Sequence, residues 1–119
     1  MMQYKPGDIV LVKFPFTNLE TTKQRPALVL HHTFHGSNID FMGIAMVTSR
    51  IENYENYRLA GDVLIEHWKE AQLLYPSLVR LSKMASIDSS LIKQKLGKLK
   101  TNDMELVKKA FKQLFKHWI

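Results

Sequence analysis

Two apolar runs near the start of the chain, Ile9 to Phe14 and Ala27 to Leu30, flank a polar connection. Pro6-Gly7-Asp8 is a turn signal ahead of the first run. Pro15 closes that run, because proline has no N–H to give a sheet ladder. The run does not alternate, which predicts a strand over 7–14 buried on both faces or nearly so. The polar loop from Thr17 to Gln24 ends at Arg25-Pro26. Proline does little harm at the first position of a strand, so the second strand is read as 26–34. Gly36-Ser37-Asn38 is a turn cluster. Residues 39–48 then form a third strand, with Phe41, Gly43 and Ala45 on one face and Met42, Ile44 and Met46 on the other.

Residues 50–60 are polar and tyrosine-bearing and read as a surface loop, with room for a short strand near 56–59. Gly61-Asp62 turns into a short strand, Val63-Leu64-Ile65. His67 to Leu74 reads as one or two helical turns that Pro76 stops. Ser77 to Ile87 returns to strand, with Leu78, Arg80, Ser82 and Met84 facing away from Val79, Leu81, Lys83 and Ala85. Asp88 suits the cap of a short helix through Leu96, with Gly97 at its C-terminal end. A second helix is marked by Asn102 as N-cap and Glu105 three residues later. In it Met104, Val107, Phe111, Leu114, Phe115 and Trp118 recur at helical spacing, with lysines opposite. That stripe packs on the strands or on a partner chain. Strands first and a helix last predict an α+β, mainly β chain: a small β-barrel or curled sheet with helices to one side. With neither linker nor repeat, residues 1–119 read as a single domain.

Composition narrows the class. The chain is 45% hydrophobic and 24% charged, ordinary for a soluble globular protein. No apolar run approaches a membrane span, and residues 1–5 lack the apolar core of a signal peptide. The absence of cysteine excludes disulfides, thiol catalysis and cysteine-based zinc sites, and it fits a cytoplasmic location. The net charge of +6 resides entirely beyond residue 91, where eight lysines face only Asp103 and Glu105. A solvated helix face is the ordinary role of such lysines. A basic face also raises non-specific affinity for a polyanion.

Arg25, after a loop and before a buried strand, sits at a rigid edge. A guanidinium there suits a phosphate, being planar and charged with a fork of donors. It equally suits a structural salt bridge, with Glu20 or Asp8 within reach. Thr48 and Ser49 end the third strand. Their hydroxyls are fit to donate to a phosphoryl oxygen or a 2′-OH, or to bond their own backbone in a turn. Glu20 is suited to orienting Arg25 or accepting a proton, and Thr21, Thr22, Lys23 and Gln24 complete a donor-rich loop. The histidines give no two-imidazole site, since His31 and His32 are adjacent strand residues that point to opposite faces. His31 with His35 lacks a third metal ligand. Neither a phosphate-binding glycine loop nor a carboxylate pair for magnesium is evident, so a nuclease built on this chain is expected to need no metal or other cofactor.

Several pieces taken in order resemble the PemK/MazF family of toxins. They are Gly7-Asp8-Ile9-Val10, Phe14-Pro15-Phe16-Thr17, Arg25-Pro26-Ala27-Leu28-Val29-Leu30, Thr48-Ser49 after an apolar strand, Trp68, and Pro76-Ser77-Leu78-Val79-Arg80. The resemblance spans roughly residues 5–100. It implies an SH3-like small β-barrel with a C-terminal helix, usually assembled as a two-fold homodimer. It also implies an endoribonuclease that cuts single-stranded RNA, mRNA above all, by 2′-OH attack, leaving a 2′,3′-cyclic phosphate and a 5′-OH. DNA lacks the attacking group. On this resemblance Arg25 and Thr48 are the catalytic pair, Glu20 supports them, and the loop of Thr21, Lys23 and Gln24 gates the RNA groove, beside Ser49. The plasmid-borne branch pairs an arginine, matched here by Arg80, with an aspartate two residues on. Ser82 stands in that aspartate's place, so its acid–base role does not carry over, and Arg80 is left as a phosphate ligand. The implied partner is a small antitoxin whose acidic segment covers the groove. Two other readings stay open. One is a non-enzymatic toxin of the same fold that inhibits DNA gyrase through its C-terminal helix. The other is a relative that binds RNA without cutting it.

Overall fold

The computed structural model describes residues 3–15, 22–36, 38–52, 54, 56 and 58–118, with the backbone alone for 14, 15, 22 and 23. Six strands and one α-helix follow one another: β1 (Asp8–Pro15), β2 (Thr22–His35), β3 (Ile39–Thr48), β4 (Asp62–Leu64), β5 (Leu78–Asp88), β6 (Ile92–Lys98) and α1 (Thr101–Leu114). The strands form a single antiparallel sheet in the order β4-β5-β3-β2-β1-β6. The sheet is not closed by hydrogen bonds, yet it curls. Val63 from one edge strand and Leu96 from the other meet one apolar cluster, with Ile9, Leu28, Val47, Val79 and Leu81 between them. Trp68 and the α1 residue Val107 join that cluster from outside the sheet. A second cluster fills the opposite face with Val10, Val12, Ala27, Val29, Met42, Ile44 and Ile87. The central strands are therefore covered on both sides, which is why the Ile9–Val12 run shows no alternation. Each such side chain contributes about 1.5–3 kcal/mol by leaving water.

The strand boundaries follow the apolar pattern closely, with instructive departures. β2 begins at Thr22, so Pro26 lies inside the strand instead of starting it. It pairs with Leu11 of β1, while pairing to β3 runs only as far as Ala27, so Pro26 has a ladder on one side alone, where proline is tolerated. Asp88 does cap a helix, accepting from the Ser90 N–H at 2.9 Å, but that helix is a 3-10 turn of three residues, Ser89–Leu91. The expected continuation to Leu96 is instead strand β6. β1 needed a second neighbour, and the Ile92/Leu96 spacing serves a strand as well as a helix. The N-cap of α1 is Lys100, not Asn102, and no side chain caps it. The stretch 66–72 is a series of hydrogen-bonded turns, with Ala71 N–H to His67 O at 3.2 Å and Leu73 N–H to Trp68 O at 3.0 Å. Residues 56, 58 and 59 are not strand. Among the described residues no helix is long and apolar enough to cross a membrane.

One face of α1 packs on the sheet through Met104, Val107, Ala110 and Leu114 along its length. Leu106 and Phe111 lie off that face and are exposed, and Trp118, beyond the helix, is 86% exposed.

Candidate functional site

The β2–β3 register ends at Ala27↔Met46, and Arg25 and Thr48 each lie two residues beyond that last pair. On its other side Arg25 pairs with Val12, and Thr48 pairs with Leu78 of β5. Arg25 is thus held by β1 and Thr48 by β5, each from one side, where β2 and β3 part. They open on one cleft of about 520 Å³, together with Gln24, Ser49, Arg50 and Tyr75. Leu11, Leu73 and Leu96 supply apolar wall. The Thr48 hydroxyl oxygen accepts the Arg50 N–H at 3.1 Å, the self-bonding turn expected of a threonine at a strand end. That bond uses a lone pair and leaves the hydroxyl proton to donate.

The opposite lip is the segment from Ile65 to Ser77, which is firmly built. Asp103, from the first turn of α1, is fully buried and accepts the Glu66 N–H at 3.0 Å and the His67 N–H at 2.9 Å. Gly97 of β6 lets the turn approach, since a Cβ there would stand 2.6 Å from the Ala71 carbonyl oxygen. Gln72 adopts a left-handed φ of 66°. Ile65 N–H bonds Ser77 O at 3.0 Å, and the Ser77 hydroxyl donates to Tyr75 O at 2.7 Å. The result holds Leu74 (83% exposed) and Tyr75 (63% exposed) out in solvent beside the cleft.

Of the site residues expected from sequence, Gln24, Arg25, Thr48 and Ser49 converge here. Glu20 and Thr21 lie outside the described residues, and Lys23 is described by its backbone alone, opposite Phe14. Arg80 stands apart. Its Nε and a terminal nitrogen fork onto Asp62 at 3.0 and 3.1 Å, and Asp62 also accepts the Leu59 N–H at 3.0 Å. The carboxylate raises the guanidinium above its ordinary pKa. Asp8, considered as a partner for Arg25, takes Lys95 Nζ at 3.2 Å and Lys5 N–H at 2.9 Å. Arg50 and Tyr75 had no signal of their own in the sequence, because they enter the cleft only through strand pairing.

The histidines point apart as alternation requires. His32 is buried, with Nδ1 accepting the Tyr4 N–H at 3.1 Å and Nε2 against Asp40 at 2.5 Å. Asp40 is held below the ordinary carboxylate range by a hydrogen bond from Ser89 and by His32. His31 instead covers Gly43 from the other face. Two larger hollows of about 650 and 800 Å³ flank α1, and neither holds Arg25 or Thr48.

A family model described as PemK-like, MazF-like toxin of type II toxin–antitoxin system matches residues 5–115. A comparison with curated protein sequences finds no match. Among solved structures, the fold is similar to that of the Mycobacterium tuberculosis toxin MazF-mt6, with TM-score 0.66 and 19% identity over 94% of this chain and 97% of that one. It is similar to MazF from Deinococcus radiodurans, with TM-score 0.69 and 20% identity over 98% and 99%. It also resembles a chain of the MazE–MazF complex from the same organism, with TM-score 0.67 and 19% identity over 97% of each.

Proposed function

The chain belongs to the PemK-like, MazF-like toxin family of type II toxin–antitoxin systems, and from that premise we propose that it is an endoribonuclease acting on single-stranded RNA. The observation that supports this reading is the convergence of Arg25 and Thr48 in one cleft. Bound RNA lays a phosphate between them. The 2′-oxygen attacks phosphorus, the bond to the 5′-oxygen breaks, and the proton lost by the 2′-OH is balanced by one gained at the leaving 5′-oxygen. The products are a 2′,3′-cyclic phosphate and a 5′-OH end. Arg25 donates to the non-bridging oxygens, where charge builds up, and Thr48 adds its hydroxyl proton to the same oxygens. Arg50, on the same rim, supplies a second guanidinium for the backbone. An acidic antitoxin segment would compete for these cations, and the complex formed by the Deinococcus MazF is the precedent for such a partner.

The test is incubation of the purified protein with a long single-stranded RNA in EDTA, with product ends mapped. Discrete cuts bearing 5′-OH ends are expected, and Arg25→Ala, shown by circular dichroism to be folded, should lower the rate by about 10²–10³. An Arg25→Ala variant that cuts at the wild-type rate removes Arg25 from the chemistry. A second reading, a gyrase-inhibiting toxin, has the exposed Trp118 and the lysine-bearing α1 in its favour. Capture of gyrase by a folded protein that leaves RNA intact would decide for it.

A further inference from the structure

Where β3 and β5 separate beyond the Thr48↔Leu78 pair, their ends border a shallow, open hollow of about 350 Å³, lined by Ser49, Ile51, Glu52, Tyr75 and Pro76. Tyr75 and Ser49 line both this hollow and the cleft, so Tyr75 is part of the boundary between them. We propose that this hollow is a nucleobase subsite in which Tyr75 is the stacking surface and Glu52 selects the base. The inference rests on the RNA reading above and adds to it a recognition element next to the scissile phosphate.

Three features carry it. An aromatic side chain 63% exposed at the edge of the cleft offers a face on which a base can stack. Tyr75 is also not a loose tip, since the Ser77 hydroxyl holds its carbonyl and the Asp103 carboxylate and Gly97 hold the preceding turn. With the backbone fixed before binding, only the ring's own rotation is left to be lost when a base stacks on it. Finally, the hollow's chemistry is that of a base and not of a phosphate. Pro76 and Ile51 offer apolar surface, and its charged group is the anion Glu52, which repels the backbone. A carboxylate accepts hydrogen bonds and donates none, so it favours a base with amino or imino donors on its Watson–Crick edge. Guanine, with two adjacent donors, fits best, and uracil fits worst.

Binding is measured with 2′-O-methyl RNA of randomised sequence, which cannot react, and cleavage with ordinary RNA. Wild type, Tyr75→Ala, Tyr75→Phe and Glu52→Gln are compared. Tyr75→Ala should weaken binding about tenfold or more while its melting curve stays put, and Tyr75→Phe should bind as wild type. Glu52→Gln should lose the preference for an amino-bearing base at one position beside the cut and keep most of its affinity. Wild-type binding by Tyr75→Ala, or an unchanged base preference in Glu52→Gln, overturns the subsite. If the wild type cuts RNA and Tyr75→Ala cuts the same sites at the same rate, the ribonuclease reading stands and the subsite falls. If binding depends on Tyr75 but ordinary RNA survives, the ribonuclease reading falls and the subsite stands. A wild type that binds no RNA overturns both.

Discussion

One hydroxyl at Thr48 carries two duties. Its oxygen closes the turn to Arg50, and on the proposed reading its proton is left for a substrate oxygen. Thr48→Ser keeps both duties and should cleave within about threefold of wild type, whereas Thr48→Val loses both and should fall by about 10²-fold. The lost turn bond costs Thr48→Val a further ~1 kcal/mol of stability. Single-turnover cleavage and thermal melting separate the two effects. A valine variant of normal rate would confine Thr48 to the turn. Arg80 poses the opposite case. Among the described residues, removing it leaves the buried Asp62 carboxylate with the Leu59 N–H as its remaining donor, so Arg80→Ala should lose about 3 kcal/mol of stability. Should Arg80→Ala melt like wild type yet fail to cut, the arginine belongs to the site after all.

At the scale of elements, the lip of the cleft depends on α1. Asp103→Asn keeps the size of the side chain but turns one acceptor into a donor facing a backbone N–H. The expected cost is about 2 kcal/mol, with faster amide exchange confined at first to residues 66–75. Uniform exchange across the chain would mean that Asp103 serves the helix alone. The same region shows what the sequence can and cannot convey. β1, β3 and β5 were legible because an apolar run or a clean alternation has one geometric meaning. β6 was not, because lysines between Ile92 and Leu96 satisfy a helix as well as a strand, and Gly97 looked like a helix terminus. Its actual reason, the approach of the Ala71 carbonyl, comes from a residue 26 positions away in the chain. Arg25 and Thr48 were singled out by the family resemblance, since position alone left a salt bridge for one and a turn for the other equally open, and the structure brings them to one cleft. Tyr75 and Glu52 were not, because their meeting follows from the β3–β5 register, which no local pattern encodes.

For the molecule as a whole, charge and site are separated. The cleft draws its cations from Arg25 and Arg50, while the net +6 arises from the last 28 residues. On the proposed reading the lysines of α1 gather RNA and the cleft cuts it. Replacing Lys108, Lys109, Lys112 and Lys116 by Gln should slow association and flatten the plot of log affinity against log salt. The cut positions should stay the same. An unchanged salt slope would show that the helix face is merely solvated.

The long reach of Asp103 has a consequence in time. The ribosome makes the turn at 66–67 well before the residue that clamps it, 36 and 37 positions later, and it makes β1 long before β6. A partly synthesised chain therefore has a first strand lacking one neighbour and a cleft lacking its fixed lip. Non-local closure of this kind completes late. Arg25 and Thr48 emerge early, but they wait for the final helix before they stand in a finished groove. On the proposed reading, competence to cleave is delayed until translation has passed Asp103.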